Sequence, residues 1–303
     1  MATINIIVSR HSAFYSPLIS TISGGFLAAE GLEAYYEAAT PDRTAWQALS
    51  NGSADVAQIA VSASWGPLAR GEDLDLMHFA QINERDGFFI AARERDPDFT
   101  WSKMQGRDVL VDHLGQPLAM FKFAAHKQGL DYGGLNAIDA GEPNEMEQAW
   151  RDGKGDYVHL QGPAPQQLEK DGLGYVVAAV GDAIGPVAFS SLTASRTWLE
   201  TDAALAFMRA YRKARAYVNE TPAAEIAKAE ADFFKTIDQD VLAATIETYQ
   251  GLGCWTPEVE ISSAAYETAL DVFMHSGVIS DRFAYDAVIA TPPDAAYTKL
   301  HKE

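Results

Sequence analysis

At 303 residues, with 48% hydrophobic and 21% charged side chains, the chain has the composition of a folded globular protein with room for two hydrophobic cores. Its 42 acidic residues outnumber 23 basic ones, and a formal net charge of −19 opposes binding to nucleic acid or an anionic membrane, because both need a basic footprint. The single cysteine, Cys254, excludes a disulfide framework and a thiolate metal site, and no run of about 18 apolar residues is available to span a membrane.

Taken in order, Ile4 to Val8 reads as a short buried strand, β-branched and bounded by polar residues. A polar loop follows from Ser9 to Ser12. Ser16 before Pro17 forms an N-cap and first-turn pair, so a helix is expected from there through Phe26, Leu27 and Ala28, ended by Gly31. Leu32 to Tyr36 resumes an extended pattern. In an open α/β sheet the loop after the first strand is a ligand position, since loop side chains and helix N-termini converge there. Thr44 caps a second helix carrying Ala45, Trp46 and Leu49. Ala54 to Val61 is a buried strand, Ser62 to Pro67 starts a helix that Gly71 closes, and Leu74 to Gln81 is the next strand. The alternation predicts a mainly parallel sheet with helices on its faces.

Phe88 to Ala92 is a further strand, and the charged stretch from Arg93 to Asp98 marks a domain crossing near Arg93. A second αβ series then runs from Gly106 to Val180. Its strands are expected to end at Val111, Leu160 and Val180, with helices opening at His113, Glu142 and Gln161. Gly185 to Leu192 reads as the return crossing, and from Thr197 onward the pattern is helical. The expected division is a discontinuous first lobe, 1–92 with 188–303, and an inserted second lobe, 93–187.

Several segments carry a family resemblance in their order and spacing. Gly25-Phe26-Leu27-Ala28-Ala29-Glu30-Gly31-Leu32, Ala48-Leu49-Ser50-Asn51-Gly52-Ser53-Ala54-Asp55, Met104-Gln105-Gly106-Arg107-Asp108-Val109 and Trp150 to Tyr157 are four, joined by Gly253-Cys254-Trp255-Thr256 and Gly277-Val278-Ile279 in the tail. Together they resemble type II periplasmic substrate-binding proteins of ABC importers, in the branch of alkanesulfonate, taurine and thiamine-pyrimidine-precursor binding proteins. The resemblance covers nearly the whole chain. It implies an α/β fold of two lobes, a ligand cleft between them, a helical C-terminal tail, and importer membrane subunits as partners. It also brings alternatives on the same fold: a sensor, a small-acid dehydratase-like enzyme, or a pyrimidine synthase for thiamine. The synthase needs a cysteine-rich iron motif that Cys254 alone does not supply. The chain opens directly on its first strand, so the expected location is periplasmic if a signal peptide has been removed and cytoplasmic otherwise.

Candidate site residues are those at the strand ends. Arg10 either holds a carboxylate or sulfonate bidentately or pairs with a surface acid. His11 shares its loop, and Tyr15 suits a half-wet wall for an aromatic ligand. Ser62 and Ser64 either cap a helix or join an anion site with Trp65 as its wall. Gln81 and Arg85 either orient a ligand or bond the crossing segments. On the second lobe, His113, Gly115 and Gln116 open a helix, and His159 and Gln161 occupy the corresponding loop. His11, His113 and His159 lack metal-ligand spacing, so hydrogen bonding is the expected role and no metal is expected. Gly-x-Ser-x-Gly, Walker A and dinucleotide glycine motifs are all missing, so no cofactor and no reaction are expected. The expected function is capture of a small organic ligand, aromatic or anionic, without turnover.

Overall fold

The computed structural model describes residues 1–295. In chain order its strands are β1 (Ala2–Val8), β2 (Leu32–Ala38), β3 (Val56–Ile59), β4 (Leu76–Asn83), β5 (Phe88–Ala92), β6 (Asp108–Leu110), β7 (Asn136–Ile138), β8 (Tyr157–Gln161), β9 (Tyr175–Ala179) and β10 (Ser190–Ser195). Among the described residues they form two five-stranded sheets, ordered β2-β1-β3-β10-β4 and β7-β6-β8-β5-β9. Each sheet is the core of one lobe.

The βαβ units pair in parallel, β1 with β2 and β3, and β6 with β7 and β8. The strands beside the crossings run the other way. β10 is antiparallel to β3 and β4, and β5 is antiparallel to β8 and β9, so each sheet is mainly parallel with one reversed strand. β5 corrects the expected lobe boundary. Its five residues are all buried, as a strand flanked on both sides requires, and they hydrogen-bond into the second sheet. The first crossing therefore falls at 84–87 and not near Arg93. Arg93 belongs to the second lobe, where its guanidinium lies over the Trp150 ring and donates to the Gly155 and Trp150 carbonyls. The return crossing runs through 185–189 and is bonded to the first, with the Val187 N–H donating to Glu84 O and the Phe189 N–H to Asn83 O.

Two local departures have simple causes. The helix expected from Ser16 to Ala28 is broken into Ser16–Ser23 and Phe26–Ala29, because Gly25 takes a left-handed φ of 72° and a Cβ at Gly24 would meet the Phe26 ring at 2.5 Å. The edge strand β7 has no apolar run and goes unread in the sequence. The later helices Asp202–Glu220, Gln239–Gly251 and Ser263–His275 pack around the first sheet and the crossings. Among them Arg215 is fully buried, and it donates to the carbonyls of Gln81, Ile82 and Thr256 instead of to a carboxylate. No helix among the described residues is long and apolar enough to cross a membrane.

Candidate functional site

The carboxyl ends of the parallel strands in both lobes face each other across a cavity of about 220 Å³. The first lobe supplies Ser9, Arg10 and Tyr15 after β1, Gln58 from β3 and Ser190 from β10. The second supplies Phe88, Leu114, Gln116, Pro117 and Gln161, and Phe189 comes from the return crossing.

Gln58 sets the geometry of the Arg10 loop. Its Oε1 accepts from the Ser9 N–H at 3.0 Å and the Arg10 N–H at 3.4 Å, while its Nε2 donates to Ser190 Oγ at 2.6 Å. Held this way, Arg10 reaches across the cleft. Its Nη2 donates to Asp112 Oδ2 at 2.9 Å, and its guanidinium carbon lies 5.4 Å from the centre of the Phe88 ring. Asp112 Oδ1 accepts from the Leu114 N–H, so both carboxylate oxygens are bonded. A second polar contact crosses the cleft where Ser62 Oγ donates to Gln116 Oε1 at 3.2 Å, and Gln116 Nε2 donates to Phe189 O at 2.8 Å. Arg10 and Asp112 also border a chamber of about 740 Å³, and Ser62 and Gln116 border one of about 410 Å³.

The electrostatics suit a ligand that needs donors. Burial pushes the Tyr15 phenol up, against the lowering pull of Arg10, so it keeps its proton. Gln161 is buried, its amide donor turned toward the Tyr15 hydroxyl and its Oε1 without a hydrogen-bond partner. An unpaired amide oxygen in a cavity wall is an unfilled acceptor.

Comparison with known proteins agrees with this geometry. The family model described as NMT1/THI5 like matches residues 13–225. The chain belongs to this family. YtlA of Bacillus subtilis (strain 168) is 29% identical over 284 residues, spanning 92% of this chain and 85% of YtlA. Among solved structures, the ligand binding component of an ABC-type import system from Staphylococcus aureus, with zinc bound, superposes with a TM-score of 0.77 at 16% identity, covering 100% of both chains. The periplasmic aliphatic sulphonate binding protein SsuA from Escherichia coli gives 0.74 at 16% identity over 96% of this chain and 93% of SsuA. At such identities the likeness is one of fold, and this NMT1/THI5-like chain has the two-lobed architecture of periplasmic binding proteins.

Of the residues singled out in the sequence of this NMT1/THI5-like protein, Arg10, Tyr15, Gln116 and Gln161 line the cavity together. The others take different places. His11 is a joint of the first lobe: its Nε2–H donates to Phe233 O, its Nδ1 accepts from the Tyr36 hydroxyl, and its ring stacks on Phe234. Ser64 is buried against His78 Nε2. Trp65 is core rather than cleft wall, packed on Phe273 and donating to the Tyr266 hydroxyl, with an edge on the 410 Å³ chamber beside Ser62 and Gly115. Gln81 bonds Thr256 and Glu258, and Arg85 ties the first crossing to the second-lobe helix Val180–Ile184 through Gly181 O. His113 donates from Nδ1 to Val111 O and borders a separate depression. His159 lies wholly buried between Phe88 and Phe121 with both ring nitrogens unpaired, and burial pushes it down to about 3. No three His, Cys, Asp or Glu side chains among the described residues are placed to hold a metal ion.

Sequence reading missed Gln58, Phe88, Asp112, Phe189 and Ser190. A glutamine inside the apolar run Val56 to Val61 was the available signal for the first. Phe189 and Ser190 are hidden because the segment from Gly185 to Leu192 reads as a crossing.

Proposed function

We propose that this NMT1/THI5-like chain is a solute-binding protein that captures a small organic molecule, aromatic or anionic, between its lobes and delivers it to an ABC-type importer. The observation that carries this reading is the cavity itself, walled by both lobes, with the Arg10 guanidinium, the Gln161 amide and the rings of Tyr15, Phe88 and Phe189 in one wall set. Its volume lies below the ~300–1,000 Å³ of sites for drug-sized molecules, which favours a small solute. The lobes would close about the crossings at 84–87 and 185–189 and exclude water around the ligand. The printed functions of the Staphylococcus aureus and Escherichia coli neighbours support import and a periplasmic location. Cys254 offers no nucleophile, since it is buried and its thiol is pushed well up.

Native mass spectrometry of the purified protein, before and after denaturation, tests the reading by identifying a retained small molecule at one per chain. Incubation with that molecule should leave it chemically intact. Steady loss over many equivalents would replace the binding reading with an enzymatic one.

A further inference from the structure

We propose that the cleft selects a small aromatic zwitterion, its anionic group taken by Arg10 of the first lobe and its cationic group by Asp112 of the second. This rests on the solute-binding reading above and narrows it. The Arg10–Asp112 pair spans the cleft at 2.9 Å, with side chains only 20% and 3% exposed. It stands where the 220 Å³ cavity meets the 740 Å³ chamber, since Arg10 borders both and Asp112 borders the larger. Any ligand that engages Arg10 fully must draw it from Asp112.

A ligand bearing only an anion that takes the Nη2 edge of Arg10 would leave the Asp112 carboxylate buried with the Leu114 N–H as its remaining partner. Stranding one member of a poorly solvated ion pair costs more than a new charged contact returns. A ligand bearing only a cation strands Arg10 in the same way. A molecule with both charges gives each side chain an opposite charge and strands neither. Gln161 supplies the second, independent sign. It is nine-tenths buried, borders both chambers beside the pair, and has an unpartnered acceptor in Oε1, while its Nε2 faces the Tyr15 hydroxyl and has a second hydrogen to give. An ammonium and a carboxylate need one of each. The body of the ligand then faces Phe88, Phe189 and Tyr15 in the smaller cavity, an aromatic and apolar surface.

Calorimetric titration with three probes of matched body tests this: L-phenylalanine, 3-phenylpropanoate without the amine, and 2-phenylethylamine without the carboxylate. The expected order puts phenylalanine ahead of both by on the order of 30-fold or more. Asp112→Asn keeps an acceptor for the Leu114 N–H and frees Arg10. It should weaken phenylalanine and tighten 3-phenylpropanoate, a crossed response that a strut joining the lobes would not produce. Phenylpropanoate binding as tightly as phenylalanine to the unaltered protein overturns the zwitterion and leaves solute binding standing. Failure of all three probes also overturns it, and solute binding is then judged by the retained-ligand spectrum alone. If Asp112→Asn does not fold, the ranking on the unaltered protein decides.

Discussion

Ser16 Oγ stands 2.8 Å from Glu230 Oε2 and also 2.8 Å from the carbonyl oxygen of Ala13, with a single hydrogen to give to the two. The arrangement closes if Ser16 donates to Ala13 and Glu230 carries its own proton toward Ser16, while Ser20 Oγ donates to Oε1. Burial agrees, pushing the Glu230 carboxyl up to about 8 against the lowering effect of the two serines.

That protonated carboxyl sets a pH dependence. The folded group holds a proton that the unfolded group, at 4.5, gives up, so its stabilising contribution is complete below 4.5 and is lost as pH rises through 8. The slope is about 1.4 kcal/mol per pH unit within that window. Glu230→Gln keeps one donor and one acceptor and removes the titration. Urea unfolding at pH 5, 6.5 and 8 should show the variant gaining on the parent steadily with pH. Parallel stability curves would mean that Glu230 is ionised throughout.

Arg10→Ala should weaken the retained ligand by on the order of 30-fold or more, because a charge-assisted contact in a poorly solvated cleft is removed. The unliganded protein should lose about 3 kcal/mol through the stranded Asp112, and Arg10→Ala combined with Asp112→Ala should lose less than the sum of the single changes. Titration calorimetry reads the first effect and a double-mutant cycle of thermal midpoints the second. Additive midpoints would show the pair to be energetically idle.

Gln58→Leu preserves volume but removes the acceptor that holds the Ser9 and Arg10 N–H groups and the donor to Ser190. An expected cost of about 1–3 kcal/mol in stability follows from the polar groups left unpaired. Ligand affinity should fall about tenfold as Arg10 loses its aim. Affinity equal to that of the parent would show that the loop is set by the backbone bond from Ser9 to Gln58 O alone.

His159→Phe should stabilise the protein. The ring already lies between Phe88 and Phe121, and its nitrogens are buried without partners, so an apolar ring removes a penalty of about 1–2 kcal/mol. The sign of the pH effect is opposite to that of Glu230. With its folded value depressed to about 3, the native imidazole contributes stability that is present above 6.5 and is lost as pH falls toward 3. The variant's advantage should therefore widen below pH 6.5. A lower thermal midpoint at pH 7 would reveal an unseen partner for the ring.

The alternation of β and α, and hence the two-lobed fold, is legible because buried parallel strands such as Ile4 to Val8 are unbroken apolar runs with capped helices between them. Arg10 and Tyr15 are legible for the same reason, as the first charged residue after such a strand and the polar member of the Phe14-Tyr15 pair that follows it. What could not be read is pairing across the chain. Nothing local distinguishes Phe88 to Ala92 as a strand of the second sheet, and Ser190 to Ser195 is too rich in serine and threonine to announce a buried strand. The missed cavity residues sit on those segments or, like Gln58, inside a strand. Ser64 and Trp65 failed as candidates because their loop faces His78 and the tail helix Ser263–His275 instead of the cleft.

The strand order also fixes when each lobe can be finished on the ribosome. β4 meets its own sheet only through β10, more than a hundred residues later, so a nascent chain that has emerged through Asn83 holds β2, β1 and β3 as one fragment and β4 as a buried-type strand with no neighbour. The second sheet is contiguous, and all five of its strands are out once Ala179 has emerged. The inserted lobe is thus completed first, and the amino-terminal lobe must wait for it. Arrested nascent chains ending near residue 215 should accordingly contain a protease-resistant fragment that begins near Phe88, while the first 83 residues are still cut.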